Sequence, residues 1–276
     1  MLKEVFLDAL RDKDIKISKI KDLNYNKILA EASSRWISYE PTSERCQSVG
    51  IDSSWNRRPF QGLQLYVVDA VAVTSTNKIL AVEWEEDIVG SARSELLESR
   101  AMAMEASIAQ NSTGKADCMC IDGSLVSRLM KSRTEAANEI VKKCSDCIFI
   151  SKSSESRLQF GQMGSKAGDI YYYGHTSKKA GFSIPIKARF CHAPLFEIYA
   201  RLRDHTPIIR IEIMSNASEQ EVKSTLNNLR YHSVAGYPYC LKLAHNTCKI
   251  TNEDIDRLAS ICGLQNEQGA RDALNE

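Results

Sequence analysis

Apolar positions recur at helical spacing through the first forty residues and then change to a strand-like pattern. Leu2, Val5, Phe6 and Leu10 share one helical face, and Ile28, Leu29, Ala32 and Trp36 share another. Residues 48 to 89 predict three strands. Val49 to Asp52 is short. Leu63 to Thr74 is dense in the β-branched residues that suit a pleated, half-covered surface. Ile79 to Val89 follows Ser75-Thr-Asn-Lys, which can turn the chain back, so the three fit an antiparallel meander. A helix follows over 91–110, with Leu97, Ala101, Met104 and Ile108 on one face. Next come a strand over 116–121 that ends in Asp122, a second helix over 125–143, and a strand over 147–152. A strand–helix–strand crossover of this kind pairs its strands in parallel.

An antiparallel three-strand start, then parallel strands, with helices on both faces, is the layout of an RNase H-like α/β core built on a mixed sheet. Residues 1–45 read as a helical N-terminal segment and 46–276 as the core domain. Residues 153–181, with Gly, Ser and Lys and few large apolar runs, read as an irregular insertion. Two or three further strands over 182–214, a helix over 219–231 and another over 252–262 make a β-rich C-terminal elaboration.

On this layout Asp52 and Asp122 each end a strand, in Ser48-Val-Gly-Ile-Asp52-Ser-Ser and Cys118-Met-Cys-Ile-Asp122-Gly-Ser. Carboxylates are hard oxygen ligands suited to magnesium or manganese, and a few such groups suffice because these ions keep several waters. The bland account is that each aspartate caps the turn that follows it. Glu95, Glu98 and Glu105 lie on the intervening helix. Glu98 and Glu105, seven apart, share a stripe beside the apolar face, and periodicity does not choose between them. Arg100 can pair with either. Lys152, at the end of a strand next to the acids, can offset charge on a phosphate, or it can be an ordinary snorkelling lysine. His245 can ligate a metal or move a proton, although a histidine after an apolar run is more often structural.

Composition narrows the picture. The chain has 276 residues, 43% hydrophobic and 26% charged, so a full-sized core is available. Its formal charge of +1 excludes a strongly basic nucleic-acid coat, and any polyanion contact must come from local clusters. Nine scattered cysteines, with one lone C-x-x-C at Cys144 and Cys147, fit buried thiols in a reducing compartment better than a zinc framework. The charged start Met1-Leu-Lys-Glu lacks a signal's apolar run, and no stretch is long and apolar enough to span a membrane. A cytoplasmic location is expected.

Four short strings then resemble one family: Gly50-Ile-Asp-Ser-Ser-Trp-Asn, Arg100-Ala-Met-Ala-Met-Glu105, Cys120-Ile-Asp-Gly-Ser124 and Ile150-Ser-Lys152. Arg210-Ile-Glu212 and Gly236-Tyr-Pro-Tyr-Cys-Leu-Lys-Leu-Ala-His245 extend the likeness over about 48–262. Together they resemble the NurA nucleases of archaea. The resemblance implies an RNase H-like core, a manganese-dependent nuclease with magnesium as the alternative ion, and 5′-to-3′ exonuclease action on single- and double-stranded DNA. It also implies endonuclease action on single strands, a homodimer, and a HerA-type hexameric translocase as partner in DNA end resection for recombination. Asp52, Glu105, Asp122 and His245 match the metal-binding positions, with Lys152 beside them in a catalytic role, and the family favours Glu105 over Glu98.

DNA contacts are expected from Arg57, Arg58, Lys178, Lys179, Lys187 and Arg189. Trp55, Phe60 and Tyr171 to Tyr173 could stack unpaired bases, although aromatics in such positions are more often core residues. Residues 1–45 would serve dimer or partner contacts. The competing readings are a non-catalytic DNA-end clamp for a motor, and a structure-specific or RNA-cleaving nuclease on the same fold. A sugar-kinase-like ATPase is disfavoured because no glycine-rich phosphate loop occurs where it would be needed.

Overall fold

A computed structural model describes residues 2–21, 23–131, 134–188, 194–214 and 217–264. The chain opens with helices α1 (Leu2–Ser18) and α2 (Tyr25–Ser34) and a short strand β1 (Trp36–Ser38). The meander is β2 (Ser48–Pro59), β3 (Gln64–Thr74) and β4 (Ile79–Val89), followed by helix α3 (Ser94–Ser112). Strand β5 (Cys118–Asp122), helices α4 (Leu125–Lys131) and α5 (Thr134–Lys143), and strand β6 (Cys147–Ser151) complete the core. Beyond it lie α6 (Asp169–Thr176), β7 (Gly181–Ser183), β8 (Ile186–Lys187), β9 (Phe196–Arg201) and β10 (Ile209–Ile213). The last part is α7 (Glu219–Tyr231), the hairpin β11 (Ser233–Val234) and β12 (Tyr237–Pro238), α8 (Tyr239–Cys248) and α9 (Asn252–Ile261).

β2 pairs antiparallel with β3, and β3 with β4, while β2, β5 and β6 run parallel. The resulting order β4-β3-β2-β5-β6 is the RNase H-like arrangement. β10, β9, β7 and β1 continue the same sheet past β6 with antiparallel pairings.

Alternation along β5 explains the layering. Met119 and Ile121 point into a core with Val49, Ile51, Ala70 and Ala72, covered by Ala106, Ile108 and Ala109 of α3. Cys118 and Cys120 point the other way, to a core shared with Leu226 of α7 and Cys240 and Leu241 of α8. Val71 and Val73 of β3 meet Ala244 and Cys248 of α8 on that second face. Side chains such as Val49 and Ile51 are fully buried, and each contributes about 1.5–3 kcal/mol of transfer free energy. α7 and α9 start in capping boxes, Ser218 with Glu221 and Thr251 with Asp254.

Four expectations change. The strand bearing Asp52 does not stop there: β2 runs on to Pro59, because β3 offers a matching partner from Val71 back to Gln64. Its parallel neighbour β5 pairs only as far as Ile51, so β2 overruns the site. The stretch 125–143 is helical as expected over Leu125–Lys131 and Thr134–Lys143, and residues 132–133 lie outside the described residues. The stretch 153–181 is not irregular throughout, since it contains α6. Tyr172 and Tyr173 of α6 pack with Ile28 and Ala32 of α2, and buried Asp169 accepts the amides of Gln159 and Phe160 at 2.8 and 3.1 Å. Finally, the 182–214 region holds four strands, and the histidine-bearing stretch is a helix, α8.

Candidate metal centre

The site forms where β5 ends against the middle of β2. Asp52 and Asp122 fall on the α7–α8 face, in phase with Ser48 and Gly50 on β2 and with Cys118 and Cys120 on β5. Gly50 decides how close α8 comes. A Cβ there would lie 2.3 Å from the Cys240 carbonyl oxygen and 2.6 Å from the Leu241 nitrogen, so the helix rests directly on the strand backbone. From that seat His245 reaches the sheet, and its Nδ1 lies 2.9 Å from Asp52 Oδ2.

Asp52, Asp122 and His245 each present a ligand atom, and these atoms lie within 4.8 Å of one another. Asp52 is buried, and its Oδ1 accepts the Ser53 amide at 2.9 Å. Burial, and next the charge of Asp122, push its carboxyl up; the His245 and Ser53 hydrogen bonds pull it back. Asp122 is held from two sides. Tyr237 donates its hydroxyl to Oδ1 at 3.1 Å, and Lys152 Nζ lies 3.3 Å from Oδ2. The same ammonium sits 4.8 Å from the centroid of the Tyr237 ring. Burial and the Asp122 carboxylate push the Tyr237 phenol up, so it stays a donor.

Glu105 is also buried, but it approaches from the α3 face and is not one of the three converging ligands. Its Oε1 accepts the Ser53 hydroxyl at 2.5 Å, and its Oε2 pairs with Arg128. The Arg128 guanidinium also donates to the Asp122 carbonyl at 2.5 Å. Gly123 (φ 101°) makes the exit turn beside it, where a Cβ would come within 3.2 Å of that guanidinium. Of the other helix acids, Glu98 is half-buried and Glu95 is exposed, while Arg100 reaches across to Glu85 and Tyr66.

A second buried network fixes the loop after Asp122. Ser124 donates to Glu212 Oε1 at 2.7 Å, and the Val126 amide donates to Oε2 at 3.1 Å. Arg210 pairs with Glu197 at 2.5 Å and Glu212 at 2.6 Å. Arg128, Tyr237, Ser53 and this network were not read as functional from the sequence. The apolar spacing of Cys240, Leu241, Ala244 and Cys248 was a usable sign that His245 lies on a helix.

The expected nucleic-acid contacts are dispersed. Arg57 bonds the Ala92 carbonyl, and Arg58 pairs with Asp256. Lys178 donates to the Gly174 carbonyl at 3.1 Å, and Lys179 pairs with Asp204 at 2.8 Å. Lys187 is exposed on β8, and Arg189 lies outside the described residues. Tyr172, Tyr173 and, partly, Trp55, Phe60 and Tyr171 are core residues. Among the described residues the cysteines are free, and all but Cys262 are buried. Among them, too, no helix is long and apolar enough to cross a membrane.

Fold and site together define an RNase H-like α/β protein in which Asp52, Asp122 and His245 form a group that could hold a metal ion. The NurA domain family model matches residues 46–250, and the chain belongs to that family. It is 24% identical over 279 residues to the DNA double-strand break repair nuclease NurA of Saccharolobus solfataricus, covering 80% of this chain and 81% of that protein. A second match of 24% identity, to the nuclease of that name from Sulfurisphaera tokodaii, spans 43% of this chain and 38% of the relative. The crystal structure of the NurA nuclease from Sulfolobus solfataricus superposes with a TM-score of 0.81 at 20% identity, over 96% of this chain and 97% of that one. A crystal structure of NurA bound to dAMP and manganese superposes at 0.69 with 12% identity, over 98% and 99%.

Proposed function

We propose that this protein is a manganese-dependent DNA nuclease of double-strand break repair. The observation that carries the proposal is the convergence of Asp52, Asp122 and His245 from three separate elements. The donor set fits the ion: two carboxylates suit a hard divalent cation, and the imidazole shifts preference from magnesium toward manganese. The burial and mutual repulsion that push Asp52 up are costs that a bound cation would relieve.

A divalent cation in this position supplies Lewis acidity to a phosphodiester. Tyr237 and Lys152 orient Asp122, and Lys152, more than half exposed, faces solvent where it can offset charge on an incoming phosphate. Glu105 completes the acidic set through Ser53, and its direct ligation of a cation requires Arg128 to release it. Backbone contacts to DNA are assigned to Lys178, Lys179 and Lys187, with Arg57, Arg58 and Arg189 as further members of the set.

The finer reading follows the family resemblance alone. It comprises 5′-to-3′ exonuclease action on single- and double-stranded DNA, endonuclease action on single strands, a homodimer, and a HerA-type translocase as partner. Residues 1–45 are assigned to dimer or partner contacts. α1 supports this, since it exposes Val5, Phe6, Leu7 and Leu10.

The test is a substrate panel of linear duplex, single strand, RNA and junctions, each with manganese, magnesium or chelator. Asp52→Asn and Asp122→Asn are expected to cut cleavage by more than about 100-fold, since even outer-sphere changes cost 10–100-fold in metal affinity or activity. Circular dichroism checks that the fold is kept. Wild-type rates from either variant would overturn the assignment.

A further inference from the structure

The cysteines are scattered along the chain, yet the fold brings several of them into contact. On β5 the Cys118 Sγ lies 3.7 Å from the Cys120 Sγ. Cys118 also shares a hydrogen bond with Cys46, which comes from the far side of the meander in sequence. The backbone fixes that approach. The Gln47 carbonyl accepts the amides of Asp117 and Cys118 at 3.0 and 3.3 Å, and the Gln47 amide donates to Asp117 Oδ2 at 2.8 Å. From this junction the two segments run on as the parallel pair, with Ser48 beside Cys118.

Both thiols are only 3% exposed, and buried thiols are usually inert. Two features set this pair apart. Cys46 lines a pocket of about 460 Å³ together with Arg45, Asp117 and His232, whereas Cys120, Cys144, Cys147 and Cys240 do not line it. The second feature is the division of charge between the two sulfurs. Hydrogen bonds from Cys120 and then Cys46 pull the Cys118 thiol well below its ordinary range, and the contact with Cys118 pushes Cys46 up. A thiolate beside a protonated thiol is the arrangement of a reactive cysteine and its resolving partner.

We propose that Cys46 and Cys118 are a modification site, joined as a reversible disulfide by hydrogen peroxide that enters through the pocket. The Cys118 thiolate attacks one peroxide oxygen and the O–O bond breaks. Hydroxide leaves and takes up the proton that Cys118 had released, so Cys118 becomes a sulfenic acid. The Cys46 sulfur then attacks the Cys118 sulfur, the S–O bond breaks, and the departing oxygen leaves as water with the Cys46 proton. Two thiols are oxidised to one disulfide, and one peroxide is reduced to two waters. The bond ties the foot of β2 to the foot of β5, the strands that carry Asp52 and Asp122 further along. The proposal does not depend on the nuclease reading.

The experiment treats the full-length chain with hydrogen peroxide, alkylates it in denaturant without reduction, and maps the digest by tandem mass spectrometry. A peptide cross-linked between Cys46 and Cys118 is expected, and dithiothreitol should remove it. Closing a loop of roughly seventy residues should also raise the melting temperature by about 5–15 °C. Cys46→Ser should abolish both the cross-link and the rise, while Cys120→Ala should keep the cross-link. Melting of each reduced variant checks its fold, and the peptide map of the wild type needs no variant. Peroxide-treated wild type in which Cys46 and Cys118 are both alkylated, or in which the bond joins other cysteines instead, would overturn the proposal.

Discussion

Arg128 shows how much a single side chain decides here. It neutralises a glutamate that is almost wholly inside the protein and holds the carbonyl of Asp122 at the same time. Burial pulls the guanidinium's own pKa down, yet it remains the cation on which Glu105 depends. Arg128→Ala should therefore cost about 3–5 kcal/mol, the usual penalty for stranding one member of a buried pair. Adding Glu105→Gln should recover most of the loss. Urea denaturation of both single variants and the double variant checks this, and strict additivity would contradict the pairing. Neither the arginine nor its role was legible beforehand. It follows a glycine turn by five positions, and nothing in local spacing says that it folds back to meet a glutamate on another helix.

At the level of elements, α8 is the part that carries His245 to the two aspartates of the candidate site. Gly50→Ala would drive a methyl into the helix backbone at Cys240, which cannot move aside as a side chain can. A loss of about 1–3 kcal/mol is expected from the overpacking. Manganese affinity, measured by calorimetry, should fall with it, because His245 rides on the displaced helix. The meander, α3, β5 and β6 were readable in the sequence because each carries a long or cleanly bounded apolar pattern. So was α7, which carries its own cap. α8 was missed because Pro238 and two tyrosines mask its start. α6 was missed because its tyrosines find their partners only in the distant α2. Asp52 was singled out but placed at a strand end, since Ser53 and Ser54 resemble a turn until the length of β3 is considered. Asp122 stands at a strand end as expected. The convergence of His245 on Asp52 depends on how α8 is seated, which is a tertiary fact that strand and helix patterns do not contain.

For the molecule as a whole, the buried acids set how stability responds to pH. Burial, chiefly, raises Asp169 from 3.8 to about 7. The folded state then holds its proton more tightly than the unfolded chain between those values. Stability from this group is present below about pH 4, declines as pH rises toward 7, and levels off above it. The span is up to roughly 4 kcal/mol at 1.36 kcal/mol per unit. Burial shifts Asp69 in the same direction, also to about 7. Melting temperature followed from pH 4 to pH 8 should fall, and Asp169→Asn should flatten the slope. A melting temperature that climbed steadily across that range in both proteins would contradict the assignment.

The overrun of β2 past β5 has one more effect. From Asp52 onward that strand has β3 as its strand partner on one side and, among the described residues, no strand paired on the other. A bare row of main-chain groups invites a foreign strand to add itself. Here two of the amides are already taken, Ser53 by the Asp52 carboxylate at 2.9 Å and Arg57 by the Asn56 amide oxygen at 2.8 Å. The half-buried edge beside the candidate site is thus a poor template for self-association.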